Sequence, residues 1–243
     1  MKPRIDGFTL LEVMVALALA ALVFTALLTF AQSITATLNQ GRALDALSST
    51  ARLLHGEFQS VTATAGARAN PLQDAPFPAV AGSRSGPDSD VLTVQAFSPF
   101  NCFDNDNPVR GPTGQPAWWV RRNEYAVRDR GRLVRSCFYG PADGQATRQL
   151  NAATLVEGVE TLRLRFGIDT TGDRRVDRWV PAGGWSEERG VLAIRVGVVL
   201  VTEHSVGVEP ATDLALFGRA QPAIDDGRAR LGLTLTLPVR GRL

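Results

Sequence analysis

The sequence predicts an α+β protein in which one long N-terminal helix lies on a mainly antiparallel β-sheet head. Three observations carry this. Residues Phe8–Ala31 form a run of 24 with one charge, Glu12. No proline falls between Pro3 and Pro71, so nothing interrupts a helix over that span. Beyond residue 90 the pattern changes to strict alternation, as at Leu162, Leu164, Phe166 and Ile168.

The apolar run is the first element. At about 1.5 Å per residue it extends roughly 36 Å as a helix, enough to cross a hydrocarbon core of about 30 Å. Lys2 and Arg4 stand ahead of it. Basic residues on a short flank hold that end in the cytoplasm and send the rest of the chain to the other side. After it, Ile34, Leu38, Leu44, Leu47, Ala51, Leu54, Phe58 and Val61 recur at spacings near 3.5, opposite Asn39, Arg42, Asp45, Ser49, Arg52 and Glu57. The lower half of the helix is therefore amphipathic, with that apolar face turned to the head.

Residues 66–90 are rich in Pro, Gly, Ala and Ser and read as a connector. Val91–Phe97 is strand-like. Tyr125–Val127 and Leu133–Phe138 flank Arg128-Asp129-Arg130-Gly131-Arg132, the pattern of a hairpin with glycine in its turn. Over Val191–Thr202, residues Leu192, Ile194, Val196, Val198 and Leu200 share one face against a mixed one. Leu231, Leu233, Leu235 and Leu237 line a last strand ended by Pro238.

The 243 residues carry a formal charge of only +2, which gives no general reason to expect a polyanionic partner. Two histidines leave little for a His-based active site or metal centre. No Ser-His-Asp set, carboxylate-pair cleft or phosphate-cradling glycine loop emerges, so the sequence reads as a non-enzyme. Twenty-five of the 26 basic residues are arginine, and the one lysine is Lys2.

Glu12 decides how the N-terminus is read. A secretory signal cut near Ala18-Leu19-Ala20 leaves eleven further apolar residues unexplained. A plain signal anchor leaves the carboxylate unexplained, and an intramembrane charge usually marks function. Gly7-Phe8-Thr9-Leu10-Leu11-Glu12, after a short basic leader and before an apolar helix, resembles the class III signal of type IV pilins and pseudopilins. The resemblance implies cleavage between Gly7 and Phe8 by a membrane prepilin peptidase and N-methylation of Phe8. It also implies that Glu12 pairs with the amino terminus of a neighbouring subunit. The chain then divides into a leader (1–7), a transmembrane half-helix (8–31), an amphipathic half-helix (32–62) and a periplasmic head (63–243), a pilin-like plan.

Leu155-Val156-Glu157-Gly158-Val159-Glu160-Thr161, the strand that follows it, and Phe166-Gly167-Ile168-Asp169 resemble PilW-family minor pilins, as does Val191–Val196. That family implies a subunit of the inner membrane, held by lipid and later by the filament. It implies partners among other minor pilins and the major pilin, contacted through the N-terminal helix. In such a complex it primes type IV pilus assembly, can remain at the tip, and supports twitching motility, adhesion or DNA uptake. The alternatives are a J-type pseudopilin of a type II secretion system and a signal-anchored periplasmic binding protein.

Three further sets of residues invite chemistry. Cys102 and Cys137 enclose 34 residues, and an oxidising periplasm favours a disulfide over two separate buried thiols. Asp169, Thr171, Asp173 and Asp177 stand at relative positions 1, 3, 5 and 9, the opening of a calcium loop. Arg174 and Arg175 oppose a cation there, Val180 takes the place of the bidentate glutamate, and the other reading is an acidic turn whose aspartates bond their own backbone. No other cofactor is expected. Arg121, Arg122, Arg128, Arg130, Arg132 and Arg135, interleaved with Trp118, Trp119 and Tyr125, have the composition of a single-strand nucleic-acid surface. Alternating arginines on a strand are more often its solvated face, with Glu124 and Asp129 as partners here, so nucleic acid is not expected as a direct ligand.

Overall fold

The computed structural model describes residues 9–69, 77–142, 146–185, 190–209 and 214–239. Helix α1 runs from Leu10 to Thr64 without a break, 55 residues or roughly 80 Å. Thr9 caps it: its hydroxyl accepts from the Glu12 amide at 3.2 Å, while Glu12 Oε2 accepts from the Thr9 amide at 2.9 Å. This reciprocal arrangement satisfies two amides that the first turn would leave unpaired. Within the apolar stretch the hydroxyls of Thr25 and Thr29 donate to carbonyls one turn back, at 2.8 and 2.9 Å, so neither presents a bare polar group to lipid. The helix stops where Gly66, at φ +76°, turns the chain and gives its N–H to Gln95 O.

Among the described residues, eight of the ten strands form two four-stranded antiparallel sheets. The first joins β1 (Val91–Ser98), β2 (Trp119–Arg128), β3 (Arg132–Gly140) and β4 (Thr147–Val156) in chain order. The second has the order β10-β7-β5-β6, from β5 (Val159–Ile168), β6 (Arg178–Val180), β7 (Val191–Val201) and β10 (Arg230–Pro238). A small hairpin pairs β8 (Ala215–Leu216) with β9 (Arg219–Ala220). The expected β2–β3 hairpin forms through a 3-10 turn at Asp129–Gly131, with Gly131 at φ +72°. Glu157 and Gly158 alone connect the last strand of the first sheet to the first strand of the second.

One core serves both sheets and the helix. Leu54 and Phe58 of α1 meet Leu92, Tyr125, Leu133, Leu162, Leu164, Ile194 and Leu200, all fully buried. The alternating face of β5 is the inner one throughout. The opposite face of β7, which reads as mixed, is also covered: Leu216 and the Phe217 ring close over Gly197, where an added Cβ would lie 3.0 Å from the ring.

The helix face departs from its predicted extent. Leu47, Leu54, Phe58 and Thr62 are its buried positions, whereas Ile34, Leu38 and Leu44 are 43 to 53% exposed. The head reaches only the last five turns of α1, so the periodic apolar residues above Leu47 face outward.

Candidate functional site

From Leu10 to Ala31 helix α1 is apolar except for Glu12, Thr25 and Thr29, and every residue of that stretch is exposed. It is the one described helix long and apolar enough to cross a membrane. Glu12 lies in the first turn, its carboxylate held within its own chain by the amide and hydroxyl of Thr9 at 2.9 and 3.1 Å. Gly7 and Phe8, the residues of the expected cleavage, lie outside the described residues. An intramembrane carboxylate that bonds only a local cap keeps lone pairs for a cation from outside the chain.

In the head, Cys102 and Cys137 form a disulfide with Cα atoms 5.8 Å apart. Both are buried, packed with Tyr139, Trp119 and Leu150, and the Cys102 amide donates to Gln149 Oε1 at 3.0 Å. The bond ties the long β1–β2 connection to the middle of β3.

The Asp169–Asp177 turn binds its own backbone. Asp169 Oδ1 accepts from Gly172 N at 2.6 Å and Thr171 N at 3.0 Å, and Oδ2 from Arg174 N at 2.8 Å. Asp177 Oδ2 accepts from the Thr170 amide and hydroxyl at 2.6 and 2.7 Å. Partial burial works against ionisation of Asp169, but those amides prevail and hold its carboxyl below the usual range; hydrogen bonds from Thr170 do the same for Asp177. Asp173 turns its Oδ1 to Arg175 N instead of to the other two carboxylates. Among the described residues no three His, Cys, Asp or Glu side chains converge on a common cation position.

The basic stretch does not make one face. Arg122 and Arg148 lie on either side of the Phe138 ring, at 4.6 and 4.9 Å, and Arg128 pairs with Glu124 at 3.8 Å. Arg121 and Arg135 take the opposite face, toward the helix side. Arg121 pairs with Asp104 at 2.6 Å and Arg135 with Glu57 at 3.1 Å. Glu57, which helical spacing assigns to solvent, thus belongs to the helix–sheet boundary, where it also accepts from Tyr125 Oη at 2.7 Å. Burial first, and then the Glu57 charge, raise the Tyr125 phenol well above its ordinary pKa.

Sequence alone also misses Arg230. Its guanidinium is almost fully buried and grips Glu160 at 2.9 and 3.0 Å and Asp226 at 2.9 Å twice. Asp226 is held well below the usual carboxylate range by those bonds. The only sequence signal is an arginine at the start of a strand whose partner carboxylates lie 4 and 70 residues away.

The prokaryotic N-terminal methylation motif matches residues 2–28, which contain both Gly7-Phe8 and Glu12. The fold is similar to that of the type IV-like pilin TTHA1219 from Thermus thermophilus, with a TM-score of 0.51 at 18% identity, covering 83% of this chain and 97% of that one. No curated protein matches significantly. The family described as Type IV Pilus-assembly protein W, PilW, matches residues 117–241, just over half of the chain. The protein therefore belongs to the PilW family of type IV pilins.

Proposed function

We propose that this protein is a minor pilin that joins other minor pilins to prime assembly of the type IV pilus, with the filament tip as its final place. It is anchored in the inner membrane with a periplasmic head and passes from there into the pilus. Prepilin peptidase cuts after Gly7, and Phe8 becomes the methylated first residue. The protein works by association, as a structural subunit; twitching motility, adhesion or DNA uptake follow from the filament it helps start.

The exposed, apolar upper helix with its one carboxylate supports this reading best. The large apolar side chains from Leu10 to Leu44 are exposed along α1 and are stable only in lipid or against other helices. Glu12, whose in-chain bonds among the described residues come from Thr9, meets a full positive charge when a neighbour's methylated terminus comes beside it. The test is Glu12→Ala in the native host. Membrane insertion and N-terminal processing are expected to survive, while surface piliation falls. Normal piliation with Glu12→Ala would remove the charge pair from the account, and a mature protein still beginning at Met1 would remove the pilin pathway altogether.

A further inference from the structure

Strand β10 lies at one edge of the second sheet, with β7 on one side only. Ala229 O accepts from Thr202 N at 3.0 Å and Val239 N donates to Leu192 O at 2.8 Å, one bond at each end of that pairing. Antiparallel ladders alternate, so Leu231, Leu233, Leu235 and Leu237 bond β7. The N–H and C=O groups of Gly232, Thr234 and Thr236 point away from it, and among the described residues nothing bonds them.

The other edges of the two sheets are closed or broken. Along β1, Val91 exchanges bonds with Arg84, Thr93 exchanges bonds with the Ser83 hydroxyl, Gln95 N donates to Ala79 O, and Phe97 N donates to Ala67 O. Strand β6 has only three residues. Strand β4 is interrupted by register shifts and by Ala152 at φ +49°. Such devices keep an edge from pairing with another chain. Strand β10 lacks them: its nine residues stay in register with β7, and from Leu231 to Leu237 it carries no charge and no proline. Leu231, Leu233 and Leu235 are only partly buried against the core, so the apolar inner face of the sheet runs out to this edge.

We propose that β10 takes an added antiparallel strand from a different protein of the filament complex, an extended segment with apolar residues at alternate positions. An extended backbone offers N–H and C=O groups at the two-residue spacing of Gly232, Thr234 and Thr236. Antiparallel addition continues the ladders already in this sheet. It sets the donor's polar residues opposite Thr234 and Thr236 and its apolar ones beside the leucines. A second copy of this chain does not fit. Keeping both sets of leucines on one face needs a two-fold axis normal to the joined sheet, and that axis reverses α1, which packs along the inner face. Two chains anchored in one bilayer cannot point their apolar ends in opposite directions. The donor's source rests on the filament reading above, whereas the edge itself does not involve Glu12.

The test uses the full-length protein in detergent and a fluorescein-labelled peptide of alternating threonine and valine, matched to the nine residues of β10. N-methylation of its valines leaves only the threonine edge able to bond. Its anisotropy is expected to saturate with a dissociation constant of about 1 mM or tighter. The same peptide methylated on its threonines should bind about 10-fold more weakly or worse, a comparison made entirely on the wild-type protein. Thr234→Pro loses no ladder bond, because that N–H points outward, and should weaken binding about 10-fold or more. Thr234→Val keeps the N–H and should keep binding. In the native host Thr234→Pro should lower piliation while N-terminal processing stays intact, and Thr234→Val should change neither. Absence of saturation, equal affinity for the two methylated peptides, or normal piliation with Thr234→Pro overturns the proposal. A dimer of the full-length protein that Thr234→Pro dissociates overturns it in favour of a second copy. Peptide binding is measured without a filament, so it and the pairing of Glu12 succeed or fail separately.

Discussion

Glu57 accepts the phenolic hydrogen of Tyr125 at 2.7 Å across the boundary between helix and first sheet, and the same carboxylate oxygen takes Arg135 at 3.1 Å. Three elements are pinned at one atom, which fixes the rotation of α1 on the head. Removing the acceptor is the costly change, because it strands a buried hydroxyl and a half-buried guanidinium together. Glu57→Ala is expected to cost about 2–3 kcal/mol, and Tyr125→Phe only about 1 kcal/mol because the ring still packs on Phe58. Thermal unfolding of the full-length protein in detergent should show a fall of about 5–10 °C for the first and about 2–4 °C for the second. Equal shifts would mean that the ring, not the acceptor, sets the joint.

The same contact predicts an alkaline limit. Burial, then the charge of Glu57, raise the Tyr125 phenol, and burial raises Tyr139 as well. A raised folded pKa means that the native state keeps its proton where the unfolded chain has released it. This contribution is whole below about pH 10 and is lost as the pH climbs above it. The chain has two tyrosines, so tyrosinate absorbance reports on them alone. Absorbance should rise together with unfolding, and Tyr125→Phe should make stability less steep above about pH 10. Free titration of both phenols in a still-folded protein would contradict this.

Gly158 holds the crossing between sheets. It sits at φ +74°, and an added Cβ would come within 2.4 Å of Val201 O, whose own amide donates to Gly158 O at 2.8 Å. Gly158→Ala therefore meets both a disfavoured backbone region and backbone that cannot move aside. A loss of about 2–4 kcal/mol is expected, visible as a lower melting temperature and less soluble head. Gly172→Ala, at φ +83° but in open space, should cost less than half as much.

Sequence legibility followed burial. The β5 face was plain because Leu162, Leu164, Phe166 and Ile168 are all buried against one core, and a half-buried strand writes its period into the chain. Strand β4 was not foreseen, for the complementary reason. Thr147–Val156 contains no fully buried residue, and Ala152 at φ +49° together with register shifts breaks its pairing with β3, leaving no alternation to read. Periodicity placed Ile34, Leu38 and Leu44 with the head because it reports only that a face is apolar. Whether the head, lipid or another helix covers that face depends on how far the head extends. Glu57 was assigned to solvent by the same geometry, since its partners Tyr125 and Arg135 lie 68 and 78 residues away and no local spacing announces them. At the N-terminus, by contrast, the motif was local and short, so Glu12 stood out from sequence alone.

The disulfide carries a separate stability prediction. It closes a 35-residue separation and anchors the β1–β2 connection to a strand in which Cys137 is fully buried. Replacing both cysteines by serine removes that constraint and leaves two small polar groups in an apolar pocket with Trp119 and Tyr139. A cost of about 2–4 kcal/mol is expected, or about 5–15 °C in melting temperature. Wild-type protein melted in reductant should approach the variant. No difference between oxidised and reduced melts would show that packing of the loop, rather than the cross-link, holds it.

The Asp169–Asp177 turn gives the acid-side counterpart and tests its reading as a calcium loop. Amides of Gly172, Arg174 and Thr171 depress Asp169 against the effect of burial, and hydrogen bonds from Thr170 depress Asp177. A depressed folded pKa contributes stability above the unfolded value, near 4, which is lost as the pH falls through the folded one. Asp169→Asn retains an oxygen for Gly172 and Thr171 but places an NH₂ group against the Arg174 amide. It should lower the melting temperature at pH 7 and flatten its decline below about pH 4. Calcium separates the two readings directly. Because backbone amides already occupy the carboxylate oxygens, millimolar calcium and a chelator should give the same melting temperature. A rise with calcium that disappears in Asp169→Asn would instead mean that the turn opens its oxygens to a cation.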